Sequence, residues 1–117
     1  MWPKVVDYVK WQRALRQAQA EGKQLPDMPD LAPLSINLDL TTACNYACDH
    51  CIDWDVLNSP HKFDDAELRD SLSWMAGKGL KSVILIGGGE PTLYPDFVGM
   101  VRFLKDLGLQ VAVVTNG

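Results

Sequence analysis

The chain has 117 residues, 47% of them hydrophobic, and carries 11 basic against 15 acidic side chains for a formal charge of -4. That length suffices for a single core. The scattered Lys and Arg exclude a nucleic-acid face, which needs clustered cations, and the longest apolar stretch, Val83 to Ile86, is far short of the ~20 residues a membrane-spanning helix requires.

The chain opens Met1-Trp2-Pro3-Lys4-Val5-Val6-Asp7. It has an acid where a secretory leader would be basic and then continuously apolar, which predicts a cytoplasmic protein. A helix is predicted from Lys4 to Glu21, with Tyr8, Trp11, Leu15 and Ala18 on one stripe and Gly22 ending it. Pro26, Pro29 and Pro33 then make an extended linker, because each proline lacks a donor and restricts its predecessor. Residues 1–33 are thus an N-terminal helix and linker, and residues 34–117 the organised domain.

From Leu34 the polarity alternates, with Leu34, Ile36, Leu38 and Leu40 on one side and Ser35, Asn37, Asp39 and Thr41 on the other. This is a strand with one polar face, which suits a wet lumen or a ligand site. The cysteines follow directly. Asp64-Asp65-Ala66-Glu67 resembles a capping box, and Leu68, Leu72, Met75 and Ala76 continue at helical spacing as far as Gly77 and Gly79. Ser82 to Ile86 reads as a buried parallel strand ending at Gly87. Pro95 and Asp96 start a further helix on Phe97, Val101 and Leu104, which Gly108 ends. Leu109 to Val114 is the last strand, followed by Thr115-Asn116-Gly117.

The pattern β-α-β-α-β predicts an α/β fold with a parallel sheet and right-handed crossovers, its sites at the carboxyl ends of the strands. The cysteine loop, the glycine loop and the Thr115-Asn116 turn each follow a strand, so they are expected on one rim.

The strongest chemical signal is Cys44-Asn45-Tyr46-Ala47-Cys48-Asp49-His50-Cys51. Three cysteines crowded on one loop form a poor disulfide framework but a good soft-metal site for zinc, Cu(I) or an iron-sulfur cluster. Structural zinc usually takes four ligands in two separated pairs, whereas three thiolates on a four-iron cubane leave one iron open to an outside ligand. A zinc site completed by His50 or His61 is the alternative. Gly87-Gly88-Gly89 is either a tight turn or a place where backbone approaches a ligand closely.

Cys44, Cys48 and Cys51 match the cysteine motif of the radical S-adenosylmethionine (SAM) superfamily, and Gly88-Gly89-Glu90-Pro91 matches that family's segment after the second strand. From Leu34 to Gly117 the chain therefore resembles the first half of a radical SAM core, a partial TIM-type barrel of six βα units, here with an N-terminal helical extension. The resemblance implies a 4Fe-4S cluster on Cys44, Cys48 and Cys51, and SAM bound through Gly87, Gly88, Gly89, Glu90 and Pro91. His50, where the family usually has an aromatic residue, would lie near the adenine, and Thr115 and Asn116 match the turn after the third strand.

It also implies an enzyme that reductively cleaves SAM to a 5'-deoxyadenosyl radical for hydrogen abstraction. Its partners would be SAM, a substrate the residues do not name and an external electron donor, with Ser35, Asn37 and Asp39 lining the lumen. Since such barrels need six units, the chain is expected to be a fragment, inactive on substrate alone. Two other readings stand beside this one: a zinc-stabilised interaction module, and a cluster-binding scaffold without catalysis.

Overall fold

The computed structural model describes residues 2–27 and 30–117. It divides into two compact units, Met1–Leu31 and Ala32–Gly117.

The first unit is built on α1 (Trp2–Ala20). Gly22, at φ 62°, takes the left-handed turn that ends it. Of the expected stripe, Trp11, Leu15 and Ala18 are half-buried while Tyr8 stays exposed, because a lone helix has no second layer against which to close an apolar stripe. Trp11 Nε1 donates to the Pro26 carbonyl at 3.4 Å. Pro29 of the expected linker lies outside the described residues.

The second unit is a three-stranded parallel sheet in the order β1-β2-β3 with helices between the strands. Its strands are β1 (Ser35–Leu38), β2 (Ser82–Leu85) and β3 (Gln110–Val113), each shorter than the sequence suggests, β2 only at its carboxyl end. Register places Ile36, Val83 and Val111 side by side, and likewise Leu38, Leu85 and Val113. These rows form one face. Leu38, Val83 and Leu85 from these rows, with Leu68 and Leu72 of α2 (Asp65–Gly77) and Met100 and Leu104 of α3 (Phe97–Asp106), lie in the core, Ile36 and Val111 pack against it, and Val113 stays exposed. Val83, Leu85, Leu72, Met100 and Leu104 are wholly buried. On the other face, Ser35, Asn37 and Asp39 are exposed, so the polar side of the first strand does look into open space.

The helix ends follow local chemistry. Asp64 Oδ1 accepts the N–H groups of Ala66 and Glu67, each at 3.0 Å, satisfying donors that a helix start leaves free. The start of α3 differs from expectation: Asp96 makes no cap bond and its carboxylate instead accepts Arg69 from α2 at 2.8 Å. A short 3-10 turn over Pro91–Leu93, which the periodicity does not show, connects the glycine loop to α3. All three strands point their carboxyl ends to one rim, where the motifs sit.

Candidate functional site

Thr41, Thr42 and Ala43 leave β1 and deliver Cys44. Two tethers then fix where the cysteine loop begins and ends. Cys44 N–H donates to Asn58 Oδ1 at 3.0 Å, and Asn58 N–H donates back to the Thr42 carbonyl at 2.7 Å. Asn58 adopts φ 57°, the left-handed conformation that its short polar side chain tolerates better than most. Within the loop, Cys51 N–H bonds to the Cys48 carbonyl at 3.1 Å. All three cysteines are free thiols.

The glycine loop lies directly against this segment. Gly89 has no room for a side chain, since a Cβ there would stand 2.2 Å from the Ala43 carbonyl oxygen. Gly88, at φ 68°, would bring one within 2.8 Å of the Thr41 carbonyl. Glu90 N–H donates to the Ala43 carbonyl at 2.8 Å and Gly88 N–H to Asp53 Oδ2 at 3.2 Å. The glycines therefore seat one loop on the other, a close approach of backbone to backbone.

Glu90 is the electrostatic centre of the rim, and at 3% exposure it is the buried charge of the unit. Its Oε1 accepts Thr92 N–H at 2.9 Å, Thr92 Oγ1 at 2.7 Å and Thr115 Oγ1 at 2.8 Å, while Oε2 accepts Asn116 N–H at 2.8 Å. Burial opposes its ionisation, but the bonds from Asn116, Thr92 and Thr115 outweigh burial and hold its pKa at about 2. Glu90 is therefore not a solvated surface acid: the carboxylate ties the loop after β2 to the turn after β3. Asn116 Nδ2 reaches on to Asn45 Oδ1 at 3.0 Å, joining the third strand's turn to the cysteine loop.

One cavity of about 240 Å³ gathers these parts, lined by Cys44, Cys48, Cys51, Gly87, Gly88, Gly89, Glu90, Thr115 and Asn116 together with Tyr46, Asp53, Leu57, Ile86 and Val114. Of the residues that the resemblance assigns to SAM, two are not among its walls, and neither are Ser35, Asn37 and Asp39. His50 is exposed, and Pro91 is buried at the start of the 3-10 turn, where its fixed φ suits a first helical position. His61 lines a different recess. Among the described residues, no three His, Cys, Asp or Glu side chains converge tightly enough for a single metal ion. The cavity wall carries the three thiols, the Asp53 and Glu90 carboxylates and no imidazole; three thiolates on one loop suit an iron-sulfur cluster with a free corner better than a zinc site built on two separated pairs.

Asp53 and Asn58 carry no motif, and sequence reasoning passed over both. Asn followed by Ser-Pro is a turn signal in the sequence, but the contact that matters spans 14 residues. The Asp39 carboxyl, beside Gly87, is pushed above its usual range by burial and then by the negative charge of Asp53.

The family model for the radical SAM superfamily matches residues 38–117. An S-adenosylmethionine-dependent nucleotide dehydratase of Selenomonas ruminantium is 35% identical over 83 residues, covering 70% of this chain and 29% of the relative. The mycofactocin maturase MftC of Mycobacterium tuberculosis is 33% identical over 86 residues, 74% of this chain and 22% of the relative. A GTP 3',8-cyclase of Chlorobaculum tepidum is 32% identical over 84 residues, 70% of this chain and 25% of the relative. The chain spans less than a third of the length of these relatives.

Proposed function

The chain belongs to the radical SAM superfamily, and from that premise we propose that Cys44, Cys48 and Cys51 hold a 4Fe-4S cluster and that the cavity beside Gly87–Glu90 seats SAM against its open iron. The observation that carries this reading is the shared cavity itself: the three thiols and the glycine loop come from the ends of different strands and face the same space. When bound, cluster and SAM supply a one-electron reductive cleavage of a carbon-sulfur bond, giving methionine and a 5'-deoxyadenosyl radical that takes a hydrogen atom from a substrate.

The residues' share is placement. Asn58 accepts the Cys44 amide and closes the loop, so the three sulfurs are presented from a fixed frame. Glu90 remains ionised across the physiological range. A carboxylate offers about four acceptor positions, and Oε2 has taken only the Asn116 N–H among the described residues, which leaves it able to receive the ammonium of SAM. Ile86 and Val114 give the cavity apolar walls that shield a radical from water.

The relatives carry names that differ in substrate, so family membership supports the cofactor chemistry without naming the substrate. An external electron donor completes the scheme. Among the described residues no helix is long and apolar enough to cross a membrane, and a cluster held on three thiolates suits the reducing cytoplasm.

The test is anaerobic reconstitution followed by iron, sulfide and zinc analysis, with electron paramagnetic resonance (EPR) of the reduced protein before and after SAM. The expected result is about four irons and four sulfides per chain, a signal that shifts on adding SAM, and loss of both in Cys48→Ser. One tetrahedral divalent ion with no inorganic sulfide overturns the proposal.

A further inference from the structure

The glycine loop is held in a strained shape. Gly89 N–H donates to the Gly87 carbonyl at 2.8 Å across Gly88, whose φ is 68°. A bond between residues two apart, closed about a positive φ, is the γ-turn of the rarer hand, a conformation that costs energy and persists where its surroundings hold it.

Asp53 supplies that hold from the neighbouring loop. Its Oδ2 accepts the Gly88 N–H at 3.2 Å, a bond that spans 35 residues of chain, and the same oxygen would stand 3.3 Å from a Cβ on Gly87. Its own backbone is fixed, because its carbonyl accepts the N–H groups of Val56 at 3.0 Å and Leu57 at 3.1 Å. Asp53 follows Cys51 by two residues and lines the cavity beside the three cysteines. One side chain thus runs from the cysteine loop to the central residue of the turn.

This placement has an electrostatic cost. Asp39 Oδ1 lies 2.6 Å from the same Cβ position on Gly87, so two carboxylates flank one glycine. Burial and then the charge of Asp53 raise the Asp39 pKa. What offsets so close a like charge is the bond to the Gly88 amide, a task for an acceptor that an apolar side chain cannot perform. We infer that Asp53 is a positioning residue for SAM, acting through Gly88: it sets the shape of the glycine loop from the cysteine loop, so that the surface receiving SAM forms only when the loop of thiols is folded against it. This rests on the reading of the cavity as the SAM site. The cysteine loop has its own tethers at Asn58, so Asp53 governs the affinity for SAM and not the content of the cluster.

The experiment has two arms, each comparing Asp53→Ala and Asp53→Asn with the parent. In the cluster-free protein, hydrogen exchange followed by nuclear magnetic resonance reads the contact itself. The Gly88 amide should exchange about tenfold faster in Asp53→Ala, while the amides of β2 keep the parent's protection, which separates a loosened loop from a loss of fold. In the anaerobically reconstituted protein, SAM is titrated against the EPR signal. Asp53→Ala should hold the parent's iron and sulfide and raise the Kd for SAM about tenfold, because the loop must then be ordered on binding. Asp53→Asn keeps an acceptor oxygen and should bind nearly as the parent does. An Ala variant that binds SAM as tightly as the parent, an Asn variant as weak as the Ala variant, or a Gly88 amide that exchanges no faster without the carboxylate overturns the inference. Loss of the cluster from Asp53→Ala overturns it equally, since the role would then lie in holding iron. A parent that takes up no sulfide, or whose EPR signal ignores SAM, sinks instead the reading of the cavity, and the exchange arm still decides whether Asp53 holds the turn.

Discussion

A carboxylate removed from water must recover in hydrogen bonds what it loses in hydration. Glu90 does so with donors from its own loop and from the end of the next strand. Because its folded pKa is about 2 against an ordinary 4.5, the unfolded chain binds the proton more readily. The stability contributed by the ionised group is complete above about pH 5 and is lost as pH falls toward 2. The shift corresponds to roughly 3 kcal/mol at neutral pH. Urea unfolding of the cluster-free protein across this range should show that slope, and Glu90→Gln should be less stable at pH 7 by a similar amount and flatter with pH. Asn58 makes the second prediction at this scale. Asn58→Gly keeps the left-handed backbone accessible and deletes only the acceptor for the Cys44 amide. It should cost about 1 kcal/mol in unfolding and lower the iron retained after gel filtration, while Asn58→Asp, which keeps the oxygen, should restore retention. The tie that Glu90 makes to the turn after β3 and the role of Asn58 were not legible in the sequence. Both depend on partners 14 to 26 residues away, and nothing in local composition encodes such a distance.

One charged side chain links the two helices over the sheet. Arg69 of α2 bonds Asp65 on its own helix at 2.7 Å and Asp96 at the start of α3 at 2.8 Å, and it lies 5.0 Å from the centre of the Phe103 ring. Its acidic partners are half to mostly exposed, so Arg69→Ala should cost about 1 kcal/mol or less by urea unfolding, and less again in high salt. Leu72→Ala, a deletion at a fully buried position, should cost about 2–5 kcal/mol. The contrast follows from what each element buries. Elements were the most readable level of the sequence, because the alternation of β1, the apolar run of β2 and the Asp64 cap are signals carried by neighbours along the chain. The 3-10 turn and the exchange of Asp96 from cap to ion-pair partner were not readable, since both are settled by packing between α2 and α3.

Across the molecule, burial is unequal. No described side chain of α1 is buried, whereas the strands and the two later helices share a closed apolar cluster. Hydrogen exchange should accordingly separate them: amides of α1 should exchange by local fraying, and those of Val83, Ile84 and Leu85 only on opening of the whole second unit. Protection of α1 equal to that of β2 would contradict this picture. The parallel β-α-β-α-β order and the gathering of three motifs on one rim were legible because strand-end placement follows from chain direction alone. The seam between residues 41–43 and 88–90 has a consequence for how such a protein can diversify. With backbone packed on backbone, neither partner can lengthen or gain a side chain without prising the other away. Variation is therefore channelled away from this seam and into stretches such as residues 60–63, which lie between the Asn58 tether and the Asp64 cap.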